Sequence, residues 1–178
     1  VVMQVFQKQI AWLGGVDEAN AILRTCLTEG YRWEDLEVQA LRDGDRVEPR
    51  ETVMVITGPY SAFAHLETTY LGVIARRTRV ATNTRLVVEA AWPKPVMFFP
   101  ARFDHWLVQT GDGYAAHIAG AIGVSTDAQA SWWGGRGKVA LTGGPAGPGR
   151  GPAPGRRWRR RRGPWGTPSR RCPCGTPP

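Results

Sequence analysis

The hydrophobic pattern of the first 63 residues predicts a small α/β domain. Met3–Gln7 alternates as a short strand does, and the apolar residues of Val16–Leu27 recur at helical spacing. Leu36–Gly58 is typical of β-structure, with a turn sequence at Asp43-Gly44-Asp45 and a β-branched run at Thr52–Thr57. By itself, the segment DGDRVEPRETVMVITG (43–58) carries no chemistry.

Residues 64–137 alternate between helical and strand-like patterns. His65–Trp92 carries two apolar stripes and predicts helix, with a break near its central arginines. Val96–Pro100 is a continuous apolar run that predicts a strand buried on both faces, and Ile122–Ser125 predicts a second strand. Helices are expected at Tyr114–Ala119 and Thr126–Trp133. The predicted fold class is therefore α/β with parallel strands.

The last 41 residues, 138–178, differ from the rest in composition. They contain nine glycines, nine prolines and nine arginines, without apolar periodicity. Such a segment buries too little apolar surface to offset its ordering entropy, so we expect a disordered tail. The tail also resembles GC-rich coding sequence read out of frame, a hypothesis that the other reading frames of the gene would test.

The positive charge of the chain lies in this tail. The net charge is +8, but residues 138–178 hold ten basic and no acidic residues, which leaves 13 basic and 15 acidic residues, a charge of −2, in 1–137. Six arginines around Trp158, within Arg156–Arg162, offer an alternative function. They could bind nucleic acid or anionic surfaces non-specifically by counterion release and base stacking.

Three further features bear on location. No apolar run reaches the roughly 18 residues that span a membrane. The first residues lack the charged and apolar regions of a signal peptide. The three cysteines, Cys26, Cys172 and Cys174, are too few for a disulfide framework and are compatible with a reducing cytoplasm, where we expect the protein to reside.

The first candidate site follows the apolar run that ends at Pro100. In parallel α/β sheets, ligands bind at the carboxyl ends of strands, and Arg102 and His105 come just after such an end. A guanidinium matches phosphate or carboxylate, and an imidazole can donate to phosphate or move a proton. The alternative is a surface arginine and a histidine that is hydrogen-bonded within the loop.

The second candidate is the strand end at Gly123, Ser125 and Thr126. A glycine-containing strand end that leads into a helix can present backbone N–H groups to an anion. Alternatively, Ser125 or Thr126 caps the following helix, and the two roles can coexist.

The third candidate is the arginine cluster Arg76, Arg77 and Arg79, which could reach an anionic site or form a solvated face. The histidines lack metal-ligand spacing, so no metal site is predicted.

Taken together, these segments resemble the nicotinate phosphoribosyltransferase family. The resemblance is carried, in this order, by HLETTYLGVIARRTRVATNTRLVVEAA (65–91), KPVMFFPARFDHW (94–106) and GAIGVSTDAQ (120–129). Residues 3–23 and 35–63 support it. Enzymes of this family join nicotinate to phosphoribosyl pyrophosphate, giving nicotinate mononucleotide for NAD synthesis. The resemblance implies that activity here, with ATP coupling of the ligase type, Mg²⁺ on the pyrophosphate and a homodimer.

The resemblance also implies a fold and a set of substrate-binding residues. The fold is a small N-terminal α/β domain (1–63) leading into a truncated α/β barrel of the type II phosphoribosyltransferase kind (64–137). Arg102 and His105 match basic residues that face the anionic substrates, and Arg76 resembles an arginine offered across the dimer. The remaining matches are a hydroxyl residue and the strand-end loop that lines the nicotinate pocket, namely Thr82, Gly123, Ser125 and Thr126.

The sequence departs from the family pattern in the loop and at the ends. Phe103 follows Arg102 where many members have a second basic residue, and Trp106 stands where many have proline, so a quinolinate-type enzyme stays open. After Gly137 the family continues with a segment that holds a phosphorylated histidine and then completes the barrel. A complete barrel takes on the order of 250 residues, and we expect the 178-residue chain to be inactive alone.

Overall fold

The computed structural model describes residues 1–137 and 159–160. The strands are β1 Val2–Phe6, β2 Ala11–Trp12, β3 Glu37–Ala40, β4 Arg46–Val47, β5 Thr52–Thr57, β6 Met97–Phe98, β7 Gly123–Val124 and β8 Arg159–Arg160. The α-helices are α1 Val16–Thr25, α2 Tyr60–Phe63, α3 Glu67–Ala91, α4 Gln109–Ile118 and α5 Asp127–Ala130. Short 3₁₀ turns lie at Trp33–Asp35, Ala64–Leu66, Trp106–Val108 and Ser131–Trp133.

The N-terminal half is built on an antiparallel sheet in the order β1-β5-β3-β8. The β-branched segment Thr52–Thr57 forms β5 over the predicted residues and takes an inner position. Val53, Met54 and Ile56 of β5 are fully buried, as expected for apolar residues of an inner strand. The Asp43–Asp45 turn precedes β4, which pairs with β2 in a separate two-stranded ladder.

One large apolar core joins this sheet to α1 and to the first half of α3. Leu13, Val16 and Leu23 contribute from the α1 region, and each is fully buried. Tyr70 and Ile74 contribute from α3. Helix α3 therefore belongs to the N-terminal core over its first turns and continues beyond it, so it physically links the two predicted parts of the chain.

Helix α3 runs without interruption for 25 residues, so the predicted break near its arginines is wrong. The two apolar stripes are explained by a change of neighbour along the helix. Tyr70 and Ile74 face the large core, whereas Ala81 packs in a second cluster with Ala115 and Ala119 of the α4 region. The apolar face of α3 therefore changes its position around the helix axis along the length of the helix. In the sequence, such a change gives the same pattern as two separate helices.

Strands β6 and β7 are parallel, as predicted, and pair Met97 with Gly123 and Phe98 with Val124. The expectation that the apolar run is buried on both faces is wrong. Met97 is 38% exposed and Phe99 is 57% exposed. Within residues 1–137, β6 has β7 as a strand partner on one side, and no second layer covers both of its faces.

Helix α4 begins five residues before the predicted helix, at Gln109, although Gly111 and Gly113 lie in its first turns. Both glycines are required by packing. A Cβ at Gly113 would lie 2.3 Å from the carbonyl oxygen of Gln129, so α4 and α5 approach closely there. The predicted helix at Thr126–Trp133 is α5 followed by a 3₁₀ turn.

Most of the predicted disordered tail, together with Cys172 and Cys174, lies outside the described residues. Within the tail, Arg159–Arg160 forms β8 and pairs with Gln39 and Ala40 of β3. Among the helices that the structure describes, none is long and apolar enough to cross a lipid bilayer.

Candidate functional site

The parallel pairing of β6 and β7 brings two predicted site segments to one edge. Phe98 and Val124 are partners at the carboxyl ends of their strands, so the loops beginning at Phe99 and at Ser125 leave the sheet side by side. Ligands bind at such edges because backbone and side-chain groups from neighbouring loops converge there. Arg102 and His105 lie in the first loop, and Ser125 and Thr126 in the second.

The loop between β6 and the following 3₁₀ turn carries an exposed cationic side chain, that of Arg102. The Arg102 side chain is exposed and forms no hydrogen bond or ion pair within residues 1–137. His105 is also exposed, and its Nδ1 accepts a hydrogen bond from the N–H of Leu107 at 3.3 Å. Its ring stacks near Trp106, with centroids 6.1 Å apart. His105 therefore caps the 3₁₀ turn, which is the loop role that the sequence left open as an alternative.

The same loop is anchored at both of its ends. Gln109 Nε2 donates to the carbonyl oxygen of Ala101 at 2.7 Å. At the other end, the Arg77 guanidinium donates to the carbonyl oxygen of Val108 at 3.3 Å. Between these anchors, the N–H of Phe103 closes a turn on the carbonyl of Pro100 at 2.8 Å. The exposed segment is thus held as a defined loop.

Arg76 reaches this loop from α3. Its guanidinium binds the Asp112 carboxylate in a forked arrangement, with Nη2 2.7 Å from Oδ2 and Nε 3.1 Å from each oxygen. Nη2 also lies 3.7 Å from Oδ1 of Asp104, in the loop itself. The hydrogen bonds that Arg76 donates to Asp112 raise the pKa of Arg76 above its ordinary value, so the guanidinium stays charged. The fold therefore brings Arg76 and the Arg102 loop together.

Sequence analysis named Arg77 in the arginine cluster but missed the two carboxylates that hold this arrangement, Asp112 and Glu18. Asp112 is 1% exposed and pairs with both Arg76 and Arg77. Arg77, 7% exposed, also pairs with Glu18 of α1 at 2.9 Å. The local sequence shows only an acidic residue in the first turn of α4, where negative charge suits the helix dipole and gives no sign of Asp112 as a charge partner. The partners of Asp112 lie 35 and 36 residues away in the sequence.

Gln129 organises the strand-end loop after β7. Its Oε1 accepts hydrogen bonds from the N–H of Ser125 at 3.0 Å, from the Ser125 hydroxyl at 2.7 Å and from the N–H of Thr126 at 3.2 Å. Thr126 Oγ1 in turn accepts from the N–H of Gln129, which completes a capping box at the start of α5. The two backbone N–H groups that an anion would need are therefore already engaged, and Thr126 is the helix cap.

Of the remaining predicted site residues, Gly123 lies next to the strand-end loop, whereas Thr82 contacts the N-terminal part of the chain. Gly123 is buried within β7, just before the strand-end loop. Thr82 lies on α3 and exchanges two hydrogen bonds with the backbone of Trp12, accepting from its N–H at 2.9 Å. The hydroxyl of Thr82 thus faces the β2 segment of the N-terminal part.

His117 stacks face to face on Trp133, with centroids 4.3 Å apart, and its burial lowers the pKa of the imidazole below the usual value. Among the described residues, no set of three or more His, Cys, Asp and Glu side chains could hold a metal ion. A surface depression of about 530 Å³ is lined by Gln4, Phe6, Lys8 and Arg50, apart from the β6–β7 edge.

The fold and site define an α/β protein in which two loops lie side by side at the carboxyl edge of parallel strands, one of them carrying Arg102. A sequence model of the family described as quinolinate phosphoribosyl transferase, N-terminal domain, matches residues 1–78. A nicotinate-nucleotide pyrophosphorylase from Pyrococcus furiosus is similar in structure, with a TM-score of 0.68 and 28% identity over 77% of this chain and 35% of that one. The chain therefore resembles the phosphoribosyltransferases of NAD synthesis and folds like their N-terminal part.

Two more distant structures share the fold. NadC from Streptococcus pyogenes has a TM-score of 0.57 and 18% identity, over 67% of this chain and 42% of its own. Human nicotinic acid phosphoribosyltransferase has a TM-score of 0.58 and 17% identity, over 70% and 31%. The chain thus spans about a third to two fifths of the length of these proteins. No curated protein sequence matches it.

Proposed function

We propose that this chain contributes the substrate-binding edge of a phosphoribosyltransferase that joins nicotinate to phosphoribosyl pyrophosphate. The observations that support this most are that the two strand-end loops leave one carboxyl edge side by side and that Arg76 reaches Asp104 in the loop that carries Arg102. The family match over residues 1–78 and the resemblance to the pyrophosphorylase from Pyrococcus furiosus support the broader class, the phosphoribosyltransferases of NAD synthesis.

The chemistry of this reaction suits the residues. A departing pyrophosphate and a ribose with oxocarbenium character require cations and N–H donors placed where charge develops, rather than a protein nucleophile. Arg102 supplies an exposed guanidinium free of carboxylate partners within residues 1–137. Arg76 supplies a second guanidinium, held by Asp112 with part of its surface exposed. Mg²⁺ chelated by the pyrophosphate would enter as part of the substrate.

We propose nicotinate rather than quinolinate as the substrate because of the balance between basic and acidic side chains at the carboxyl edge of β6 and β7. Quinolinate carries one carboxylate more than nicotinate and needs a further cation. Arg76 already faces Asp112 and Asp104, and Phe103 stands beside Arg102 where a second basic residue would help. Quinolinate is the second candidate because the matching family model is that of the quinolinate enzymes.

Isothermal titration of the purified full chain with Mg²⁺ and phosphoribosyl pyrophosphate tests the proposal. We expect Arg102→Ala to weaken binding about tenfold or more, since a charged hydrogen bond contributes about 1.5–3 kcal/mol. Arg42→Ala, which removes an exposed arginine of the N-terminal part, is the matched control and should change nothing. Equal affinity of wild type and Arg102→Ala would contradict the role of Arg102.

The pyridine substrate and the assembly require separate measurements. With phosphoribosyl pyrophosphate bound, nicotinate should bind more tightly than quinolinate, and the reverse order would favour the second candidate. We expect no formation of nicotinate mononucleotide by the 178-residue chain alone, with or without ATP, and measurable formation would contradict this expectation. Sedimentation of the chain with and without ligand tests the homodimer that the resemblance implies.

A further inference from the structure

A buried charge cluster lies directly beneath the loop that carries Arg102. Asp112, 1% exposed, accepts from Nη2 of Arg76 at 2.7 Å and from Nη1 of Arg77 at 2.5 Å. Because two guanidiniums face one carboxylate, the second carboxylate of the cluster, Glu18, balances the charge through Arg77 at 2.9 Å. A buried charge is tolerated only when it is paired and hydrogen-bonded, as all four of these groups are.

Arg77 connects three parts of the chain through one guanidinium. It binds Glu18 on α1, Asp112 on α4 and the carbonyl oxygen of Val108, where the loop ends. Packing around it is tight, since a Cβ at Gly111 would lie 2.1 Å from its Cζ. A lysine ammonium lacks the planar fork that reaches these partners simultaneously.

We propose that Asp112 and Arg77 are positioning residues that form a clamp for anion binding. The clamp fixes the direction of the Arg76 guanidinium and the end of loop 100–108, so that Arg76 and Arg102 present a single cationic surface. This inference rests on the proposed function, because the anion it serves is the pyrophosphate of the sugar substrate. Neither residue needs to contact that ligand.

The arrangement of contacts supports a positioning role rather than general stabilisation. Loop 100–108 is exposed in its middle, and its fixed points are the carbonyls of Ala101 and Val108. The Val108 anchor is made by Arg77, whose orientation depends on Asp112. Loss of the clamp should therefore loosen the loop while the distant β1-β5-β3 sheet keeps its own hydrogen bonds and core.

Hydrogen exchange on the full chain, measured with and without Mg²⁺ and phosphoribosyl pyrophosphate, separates these possibilities. In Asp112→Asn we expect exchange of the Phe103, Asp104 and Val108 amides to accelerate about tenfold, with exchange in β5 unchanged. Affinity for phosphoribosyl pyrophosphate should fall about tenfold or more, in line with the effect of misplaced groups on binding and catalysis. Glu89→Gln, which alters the exposed carboxylate of the Arg85–Glu89 pair of α3, is the matched control.

If Asp112→Asn fails to fold, two variants that retain Asp112 provide the same test. Arg77→Lys and Glu18→Gln should loosen the same loop amides and weaken binding, Glu18→Gln less than Arg77→Lys. Unchanged loop exchange in the folded variants would overturn the inference, and so would loosened loops with wild-type affinity. If the wild-type chain does not bind phosphoribosyl pyrophosphate, the proposed function and the role of the clamp in ligand binding are both refuted. The exchange data would still show whether the clamp holds the loop.

Discussion

Thr82 Oγ1 accepts a hydrogen bond from the backbone N–H of Trp12 at 2.9 Å and donates to the Trp12 carbonyl at 3.4 Å. One turn earlier, Thr78 makes the same pair of bonds with Gly14, each 3.2 Å long. Two hydroxyls spaced by four residues thus dock an extended backbone segment onto α3. The hydroxyl interpreted as a substrate contact is used here to join α3 to the N-terminal part.

The Thr78 contact should be important for stability. Thr78 is buried, and Thr78→Val would leave both the N–H and the carbonyl of Gly14 without this partner. We expect the free energy of unfolding in urea to fall by about 1–3 kcal/mol, the cost of an unsatisfied buried polar group. Thr78→Ser should restore most of it. Thr25→Val, at an exposed hydroxyl, is the control, and a similar loss there would contradict the docking role.

Two glycines in helices should respond in opposite ways to alanine. Gly72 on α3 has open space where a Cβ would lie, so Gly72→Ala should stabilise the protein by about 0.5–1 kcal/mol through lower unfolded-state entropy. At Gly113 the new Cβ would meet the Gln129 backbone, and Gly113→Ala should cost about 1–3 kcal/mol. Thermal unfolding of the two variants measures both. A stabilising effect of Gly113→Ala would contradict the close approach of α4 and α5, and a destabilising effect of Gly72→Ala would contradict the open space at Gly72.

His117 should make stability depend on pH on the acid side. Burial lowers the pKa of this imidazole in the folded chain, so between that value and the ordinary 6.5 the unfolded chain binds more protons. Stability therefore rises with pH through this window and is fully present above the ordinary value. Urea midpoints measured at acidic and neutral pH should show this rise. In His117→Phe, which retains an aromatic ring for stacking on Trp133, the slope should decrease, and an unchanged slope would contradict this origin of the pH dependence.

Tyr70 should make stability fall at alkaline pH. Burial, followed by the charge of Glu67 and then by Tyr60, raises the pKa of its phenol to about 12. The unfolded chain ionises near the ordinary 10.0, so the folded state loses stability as pH rises from that value towards 12. Ultraviolet titration should show one of the four tyrosines ionising late, and this step should be absent in Tyr70→Phe.

Comparison of Tyr70→Phe with Tyr70→Ala separates the contribution of the hydroxyl to stability from the contribution of the ring. The hydroxyl has a weak contact, 4.0 Å from the Met3 sulfur, so at neutral pH its removal should change stability by less than about 1 kcal/mol. Tyr70→Ala removes a fully buried ring and should cost about 3–5 kcal/mol. A large loss in Tyr70→Phe would mean that the hydroxyl has a stronger role than this contact provides.

Elements with strong local patterns were predictable from the sequence alone. Thr52–Thr57 and the start of α1 were predicted to the residue, because β-branched content and helical spacing act within a few positions. The parallel order of β6 and β7 followed from the alternation of helices and strands. The proximity of the Arg102 loop and the Ser125 loop was predictable as a consequence of that order.

Tertiary structure decided what each of the polar residues does. Whether Arg76 is a free cation or part of a pair depends on Asp112, which is 36 residues away along the chain, and whether the Ser125 N–H is open to an anion depends on the side chain of Gln129. The apolar run at Val96–Pro100 shows the same limit, since burial depends on what packs against a strand. Local sequence sets backbone preference, but charge pairing and burial are properties of distant neighbours, and these appear only when the chain is folded.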